Sequence, residues 1–348
     1  MIALAAALAE RDEPVVVCCD AHEGSITHLE RRLSSVTIQT MRGEQPRHSR
    51  RPRAFQTWVQ SHIASHEGAV LSTTPVVTAP LWYPGLMPRL DHIRRERQRS
   101  SAIATVFKTR RWILPRLSAS RRAIDAWKTS PGTLLAHDAP AATTLAATLE
   151  VDAATITTTG RASRWDASSN GCMAAREDAR AALGVDSDTR LALLSTSRPD
   201  GGGATLAVDA MASARQAGHA VDLLVTGFQM HALVRHAARC GVSAHLHAVG
   251  ATRRFDVLFA ASDVVLLPGT PCGPYDEAMI VDALAHGRPV VAGADAPGSS
   301  LIDASCGIIP DADTPEAWAD AIVAAPTSIE TEAPSLSAVV DRILDAAT

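Results

Sequence analysis

The chain has 348 residues, more than one hydrophobic core normally supports, so two domains are expected. Hydrophobic residues make up 46% and aromatic residues only 4%, which argues against a disordered chain and for an interior of Ala, Val, Leu and Ile, suited to helices layered on a parallel sheet. The net charge of −4 hides an asymmetry: residues 1–170 carry 22 basic against 15 acidic side chains, and residues 171–348 carry 11 against 22. A basic half beside an acidic half fits a face that meets something anionic, and equally fits an arginine-rich sequence with no such partner.

The opening MIALAAALAERDEP has no basic leader and turns acidic by Glu10, and its apolar run is far shorter than the roughly 20 residues a membrane helix needs. Neither secretion nor a transmembrane anchor is expected, and the chain reads as cytoplasmic. Residues 2–11 look helical, and VVVCC (15–19) and VTIQT (36–40) look like strands. RGEQPRHSRRPR (42–53) is polar and broken by proline, so it is expected as an arginine-rich surface loop. AVLST (69–73), TLLAH (133–137) and ATITT (154–158) complete the strands of the first half, with helices between them. GRASRWDASSNG, near 160–171, turns to Gly, Ser and Asn and marks the expected linker between a domain over 1–165 and one over 166–348.

The second half alternates more regularly. Strands are expected at Leu191–Ser195, Val221–Thr226, Ala244–Val249, Asp263–Leu267 and Arg288–Ala292. Helices are expected at Ala204–Ala217, Met230–Cys240, Phe255–Ser262 and Glu277–His286. That rhythm implies right-handed βαβ units and a doubly wound parallel sheet. Gly218, Gly241 and Gly287 each follow a helix, where a left-handed cap favours glycine. The six cysteines, at 18, 19, 172, 240, 272 and 306, show no CxxC spacing and read as reduced thiols.

Four phrases taken in order, REDARAALGVDSDTRLALLSTSR, VDLLVTG, HLHAVGATRRFDVLFAASDVVLLPGT and DALAHGRPVVAGADAPG, resemble the donor-binding domain of GT-B glycosyltransferases. The resemblance is to the retaining family-4 type, glycosyl transferases group 1, and is clear over about residues 174–322. It implies an α/β fold of two Rossmann-like domains facing across a cleft, the first on the acceptor side and the second holding a nucleotide sugar. It also implies transfer of a sugar, with retention, from a nucleotide diphosphate to a glycan or lipid-linked acceptor such as those of polysaccharide biosynthesis.

The resemblance assigns residues one by one. Arg198 takes the place of an arginine that neutralises the departing diphosphate, a role its bidentate guanidinium suits; at a strand end it is also an ordinary surface residue. The lysine that should follow is absent, and Gly201, Gly202 and Gly203 stand there, able to offer backbone N–H groups to an anion or simply to form a turn. Of two carboxylates expected eight positions apart, the second falls on Asp282, expected on the ribose hydroxyls, and the first falls on Pro274. Glu277, nearby, is the candidate replacement, or else an ordinary acidic first helical turn. Thr270 and Gly273 in PGTPCGP, with Gly227 and Gly250 at two other strand ends, are expected to line the donor pocket. Tight turns would demand the same glycines.

The first half departs further. The resemblance implies a strand and a glycine-rich loop ahead of the first helix, whereas this chain opens on that helix, so either the start lies upstream or the piece is missing. His92 and His137 are candidates for a histidine near the donor sugar by location only. Arginines at 94–99, 110–111 and 121–122, interleaved with Trp112 and Trp127, fit an interfacial surface on anionic lipid at the inner membrane face, or solvated helix faces. No nucleic-acid module is visible. No metal-ligand spacing is present and the implied chemistry requires no metal, so no cofactor is expected beyond the nucleotide-sugar substrate. A catalytically degenerate scaffold acting as a binding or partner protein remains the alternative, and an epimerase of like architecture a weaker one.

Overall fold

The computed structural model describes residues 2–9, 11, 14–19, 36–41, 51–65, 68–73, 77, 79–83, 114–160, 163, 169–196, 202–227, 230–252, 254–268, 276–294, 296, 298–330 and 336–347. By its contacts the chain divides into two compact units, Met1–Arg161 with Pro334–Thr348, and Ala162–Ala333.

The first unit opens with α1 (Ile2–Ala9), β1 (Val16–Cys19), β2 (Thr37–Thr40) and α2 (Arg51–Ile63). It continues through β3 (Leu71–Ser72), β4 (Leu81–Trp82), α3 (Leu114–Thr129), β5 (Thr133–Ala136), α4 (Ala139–Leu149) and β6 (Thr157–Thr158). Every pairing is parallel, in a two-stranded piece β1-β2 and a four-stranded piece β3-β4-β5-β6. The loop expected over 42–53 ends early, because Arg51–Arg53 already form the first turn of α2. Pro52 does not prevent this, since proline in a first turn removes an N–H that has no intrahelical acceptor anyway.

Trp82, Ala123, Trp127, Leu134, Leu145 and Leu149 pack one core of this unit. Trp127, read from sequence as part of an interfacial surface or of a solvated helix face, is 7% exposed, with its ring 6.4 Å from that of Trp82. Arg121 and Arg122 are exposed on the same helix, which separates the aromatic stripe from the basic one. A largely apolar cavity of about 410 Å³ is lined by Ala5, Val17, Phe55, Val59, Leu71 and Ile343, among others.

The second unit runs α5 (Ser169–Leu183), β7 (Arg190–Thr196), α6 (Gly202–Gln216), β8 (Val221–Gly227), α7 (His231–Arg239), β9 (Leu246–Gly250), α8 (Phe255–Ala261), β10 (Val264–Leu267), α9 (Asp276–Ala285), β11 (Val290–Ala292), β12 (Gly307–Ile308) and α10 (Pro315–Ala324). Its six strands form one parallel sheet in the order β12-β11-β10-β7-β8-β9. Successive strand residues feed opposite faces, as the period of two requires. Ala192, Leu194, Leu223 and Val225 pack with α6, α7 and α10, whereas Leu191, Leu193, Leu224 and Val265 pack with α5, α8 and α9. Both faces are therefore covered, which is why these strands read as continuous apolar runs rather than alternating ones. Gly218, Gly241 and Gly287 adopt φ of 90°, 74° and 64°, the left-handed caps the sequence implies.

A last helix, α11 (Leu336–Asp345), returns to the first unit and packs on α1, with Arg11 Nη1 donating to Asp341 Oδ1 at 2.6 Å. Its apolar face, Val339, Val340 and Ile343, is buried. The sequence reading ran the second domain to the C-terminus, since a short amphipathic helix does not declare which core it serves.

Candidate functional site

In the second unit the chain proceeds outward from β7 in one direction through β8 and β9, then starts again on the other side of β7 with β10, β11 and β12. The order of strands thus reverses between β7 and β10, and in open parallel sheets the crevice beyond the carboxyl ends of such a pair is where ligands sit. In sequence, β7 is followed by the segment 197–201 and β10 by the segment 269–275. Arg198, Thr270 and Gly273 lie in them, outside the described residues, as does His92 in the first unit.

Three further candidates lie at or next to the carboxyl ends of β7, β8 and β9 in the chain. Gly202 is the first residue of α6, whose 15 residues put a partial positive charge at that N-terminus. Gly227 closes β8 in register with Thr196 of β7, and Gly250 closes β9 in register with Thr226. Thr226 Oγ1 donates to the Gly250 carbonyl at 2.6 Å, which fixes the last turn of this edge. Glycine at 227 is imposed by crowding: a Cβ there would stand 1.9 Å from the Thr196 carbonyl oxygen. Glycine at 250 is imposed by its φ of 67° alone, since its Cβ would meet nothing within 4 Å. Both identities follow from the backbone, without a ligand.

Glu277 occupies the first turn of α9 and Asp282 its middle. Asp282 is 1% exposed, and its Oδ1 accepts from Ser163 Oγ at 3.1 Å. A buried carboxylate needs such donors, and a hydroxyl is the kind of group that a ribose would present in its place. Ser163 carried no signal in the sequence, because a serine in a Gly/Ser-rich stretch looks like linker. His137 lies in the first unit after β5, edge-on to Tyr83 with ring centroids 6.3 Å apart and Nε2 3.7 Å from Asp138 Oδ1. Asp138 in turn caps α4, accepting the Ala141 N–H at 2.7 Å.

The amino ends of the same strands are held by charge. Asp263, just before β10, accepts from Arg176 Nη2, from Arg180 Nη1 at 3.2 Å and from the Leu191 N–H at 2.8 Å, while its own N–H donates to the Leu191 carbonyl at 2.8 Å. Asp222 near the start of β8 meets Arg215 Nη1 at 2.9 Å, His245 Nδ1 at 3.1 Å and His247 Nε2 at 2.8 Å. Among the described residues, Asp209, His236 and Cys240 also gather into a potential metal-ligand set on α6 and α7. The sequence reading weighed only CxxC spacing; this group pairs His236 near the end of α7 with Cys240, the residue that caps it, four positions on.

Two α/β units with parallel sheets, the second doubly wound with its switch point between β7 and β10, have the fold of the GT-B glycosyltransferases. The structure of WaaG, a glycosyltransferase involved in lipopolysaccharide biosynthesis, superposes with a TM-score of 0.72 at 16% identity, over 99% of this chain and 90% of that one. HepE from Anabaena, solved with UDP and glucose, gives 0.69 at 15% identity over 99% and 93%. Sucrose-phosphate synthase from Thermosynechococcus elongatus gives 0.57 at 16% over 99% and 87%. Residues 191–326, which lie within the second unit, match the family glycosyl transferases group 1. Curated proteins provide no match by sequence. Among the described residues no helix is long and apolar enough to cross a membrane.

Proposed function

We propose that the protein transfers a sugar, with retention of configuration, from a nucleoside diphosphate donor held in the second unit to a glycan or lipid-linked acceptor, as in polysaccharide biosynthesis. The observation that carries this reading is the coincidence of the group 1 match with the β7/β10 switch point; Arg198 follows β7 in sequence, and Thr270 and Gly273 follow β10. Asp282 accepts from the ribose hydroxyls once Ser163 gives way. Arg198 and the N-terminus of α6 at Gly202 offset charge on the departing diphosphate, and Glu277 supplies the carboxylate beside the donor sugar. Positioning and this electrostatic stabilisation supply the rate, with no cofactor beyond the donor. The basic first half, with Arg121 and Arg122 exposed, is the surface we assign to an anionic membrane at which a lipid-linked acceptor would be met. HepE binds UDP, which makes uridine the first base to test.

The test is thermal unfolding with UDP, GDP, ADP and their sugar conjugates. A ligand at about a hundred times its Kd adds roughly 2.7 kcal/mol, which for a unit of this size raises Tm by about 5–11 °C. Stabilisation by one nucleotide, lost in Arg198→Ala and in Asp282→Ala, is the expected result. No response to any nucleotide refutes the reading and favours a scaffold that has lost transferase activity. Retention is read from the anomeric proton of the first-formed product by NMR.

A further inference from the structure

On the outer face of the second unit, α6 and α7 bring three donor atoms of different chemistry to one point. Asp209 lies in the middle of α6, and His236 and Cys240 are four residues apart at the end of α7, so they project from one face a turn apart. His236 Nε2 is 2.6 Å from Asp209 Oδ1, and Cys240 Sγ is 3.4 Å from that oxygen and 3.8 Å from that nitrogen. Arg239 settles the ring's polarity. A guanidinium only donates, and its Nη2 lies 3.1 Å from Nδ1, so Nδ1 accepts and Nε2 carries the proton that Asp209 receives. A nucleophilic relay would place thiol and carboxylate on opposite ring nitrogens. Here both face Nε2, so the arrangement is convergent and not a relay.

We propose that Asp209, His236 and Cys240 bind a divalent transition-metal ion of the zinc class, with a fourth position left to water. Around tetrahedral zinc, bond lengths of 2.0–2.3 Å put sulfur about 3.5 Å from the nitrogen and oxygen ligands, and nitrogen about 3.3 Å from oxygen. The two sulfur edges already lie close to these values. The N–O edge is drawn in by its hydrogen bond and must open by about 0.7 Å when the Nε2 proton leaves. A thiolate and an imidazole select a borderline or soft ion over magnesium or calcium, which want oxygen alone. The His236 and Asp209 side chains are 19% and 35% exposed, so an ion enters from solvent and keeps a water.

Binding costs protons. The thiol gives up its hydrogen and the ring proton moves to Nδ1, from which the exposed Arg239 turns away. Thiolate and carboxylate then balance the ion's two charges. Because the thiol must lose its proton to ligate, metal affinity rises with pH. The ion would clip α6 to α7, the helices that follow the ends of β7 and β8.

The experiment is cobalt titration of the reduced, metal-stripped full-length protein, because thiolate ligation of Co²⁺ gives a near-ultraviolet charge-transfer band. One equivalent producing that band, displaced by Zn²⁺ and absent in Cys240→Ser, is the expected result. Affinity should fall at least about tenfold in His236→Gln and Asp209→Asn, and rise in Arg239→Gln. The other five cysteines can also bind cobalt, so a band of full strength in Cys240→Ser overturns the proposal, as does no band in the unaltered protein. Should Cys240→Ser not fold, alkylation of the unaltered protein mapped by mass spectrometry decides: protection of Cys240 by Zn²⁺ supports the site, and equal labelling with and without Zn²⁺ overturns it.

Discussion

Replacing Asp263 with Ala removes a carboxylate that two arginines and one backbone N–H share at the amino end of the central strand pair. Its side chain is 11% exposed, that of Arg180 6% and that of Arg176 20%, so the charges left behind are poorly reached by water. Removing one partner from a buried ion pair costs about 3–5 kcal/mol. Arg180 retains the Ala261 carbonyl at 2.9 Å and Arg176 the Ser262 carbonyl at 2.9 Å, which places the cost near the lower bound. A loss of about 3 kcal/mol lowers Tm by about 6–12 °C for a unit of this size. Calorimetry gives the shift, and hydrogen exchange on the peptide spanning 190–196 shows whether Leu191, deprived of its acceptor, opens first. A shift below about 2 °C, with exchange unchanged at Leu191, would show that the arginines are held by backbone carbonyls and the carboxylate is dispensable.

Gly227→Ala meets both a φ of 153° and a carbonyl 1.9 Å from the new Cβ, whereas Gly218→Ala meets a φ of 90° with nothing within 4 Å. Denaturant unfolding should show about 1–2 kcal/mol lost at 218 and clearly more at 227; equal losses would refute the crowding. Arg254 holds the Asp256 carboxyl below its ordinary value through hydrogen bonds at 3.0 and 3.1 Å. The small contribution of so exposed a pair is therefore complete above the unfolded carboxylate range and lost as pH falls through the depressed value. In Arg254→Ala the NMR titration of Asp256 should move upward toward the ordinary range, and an unmoved titration would mean that the hydrogen bonds are not formed in solution. Trp127→Ala empties space beside Trp82 and should cost about 3–5 kcal/mol, read by thermal unfolding; a loss under about 1 kcal/mol would place Trp127 at the surface after all.

The second unit was legible because its strands are buried on both faces, which makes each a short unbroken apolar run, and because its helices end on Gly218, Gly241 and Gly287. The first unit was harder. Strands such as Leu71–Ser72 and Leu81–Trp82 are two residues long and carry little pattern, and α2 begins inside a run that arginine and proline disguise as loop. Trp127 shows a limit of reading stripes: spacing placed it near arginines on one helix, and only packing tells which side of the helix faces the core. At the candidate site, Arg198, Thr270 and Gly273 lie outside the described residues, and nothing in the sequence pointed to Ser163, whose bond to Asp282 spans 119 positions. The Asp263 network was equally silent, since its arginines and carboxylate lie 83 and 87 positions apart and are ordinary surface types until brought together.

That network lies at the amino ends of β7 and β10, and the segments proposed to meet the donor follow the carboxyl ends of the same two strands in the chain. Anchorage at one end relies on Asp263, Arg176, Arg180 and Leu191, none of which enters 197–201 or 269–275. On the proposed function, residues in those segments can change with little effect on the anchored strand pair, so donor preference can drift over generations while the sheet stays fixed. A departure such as proline at 274, or glycine where a lysine is expected, is the sort of change that this division of labour lets a lineage tolerate.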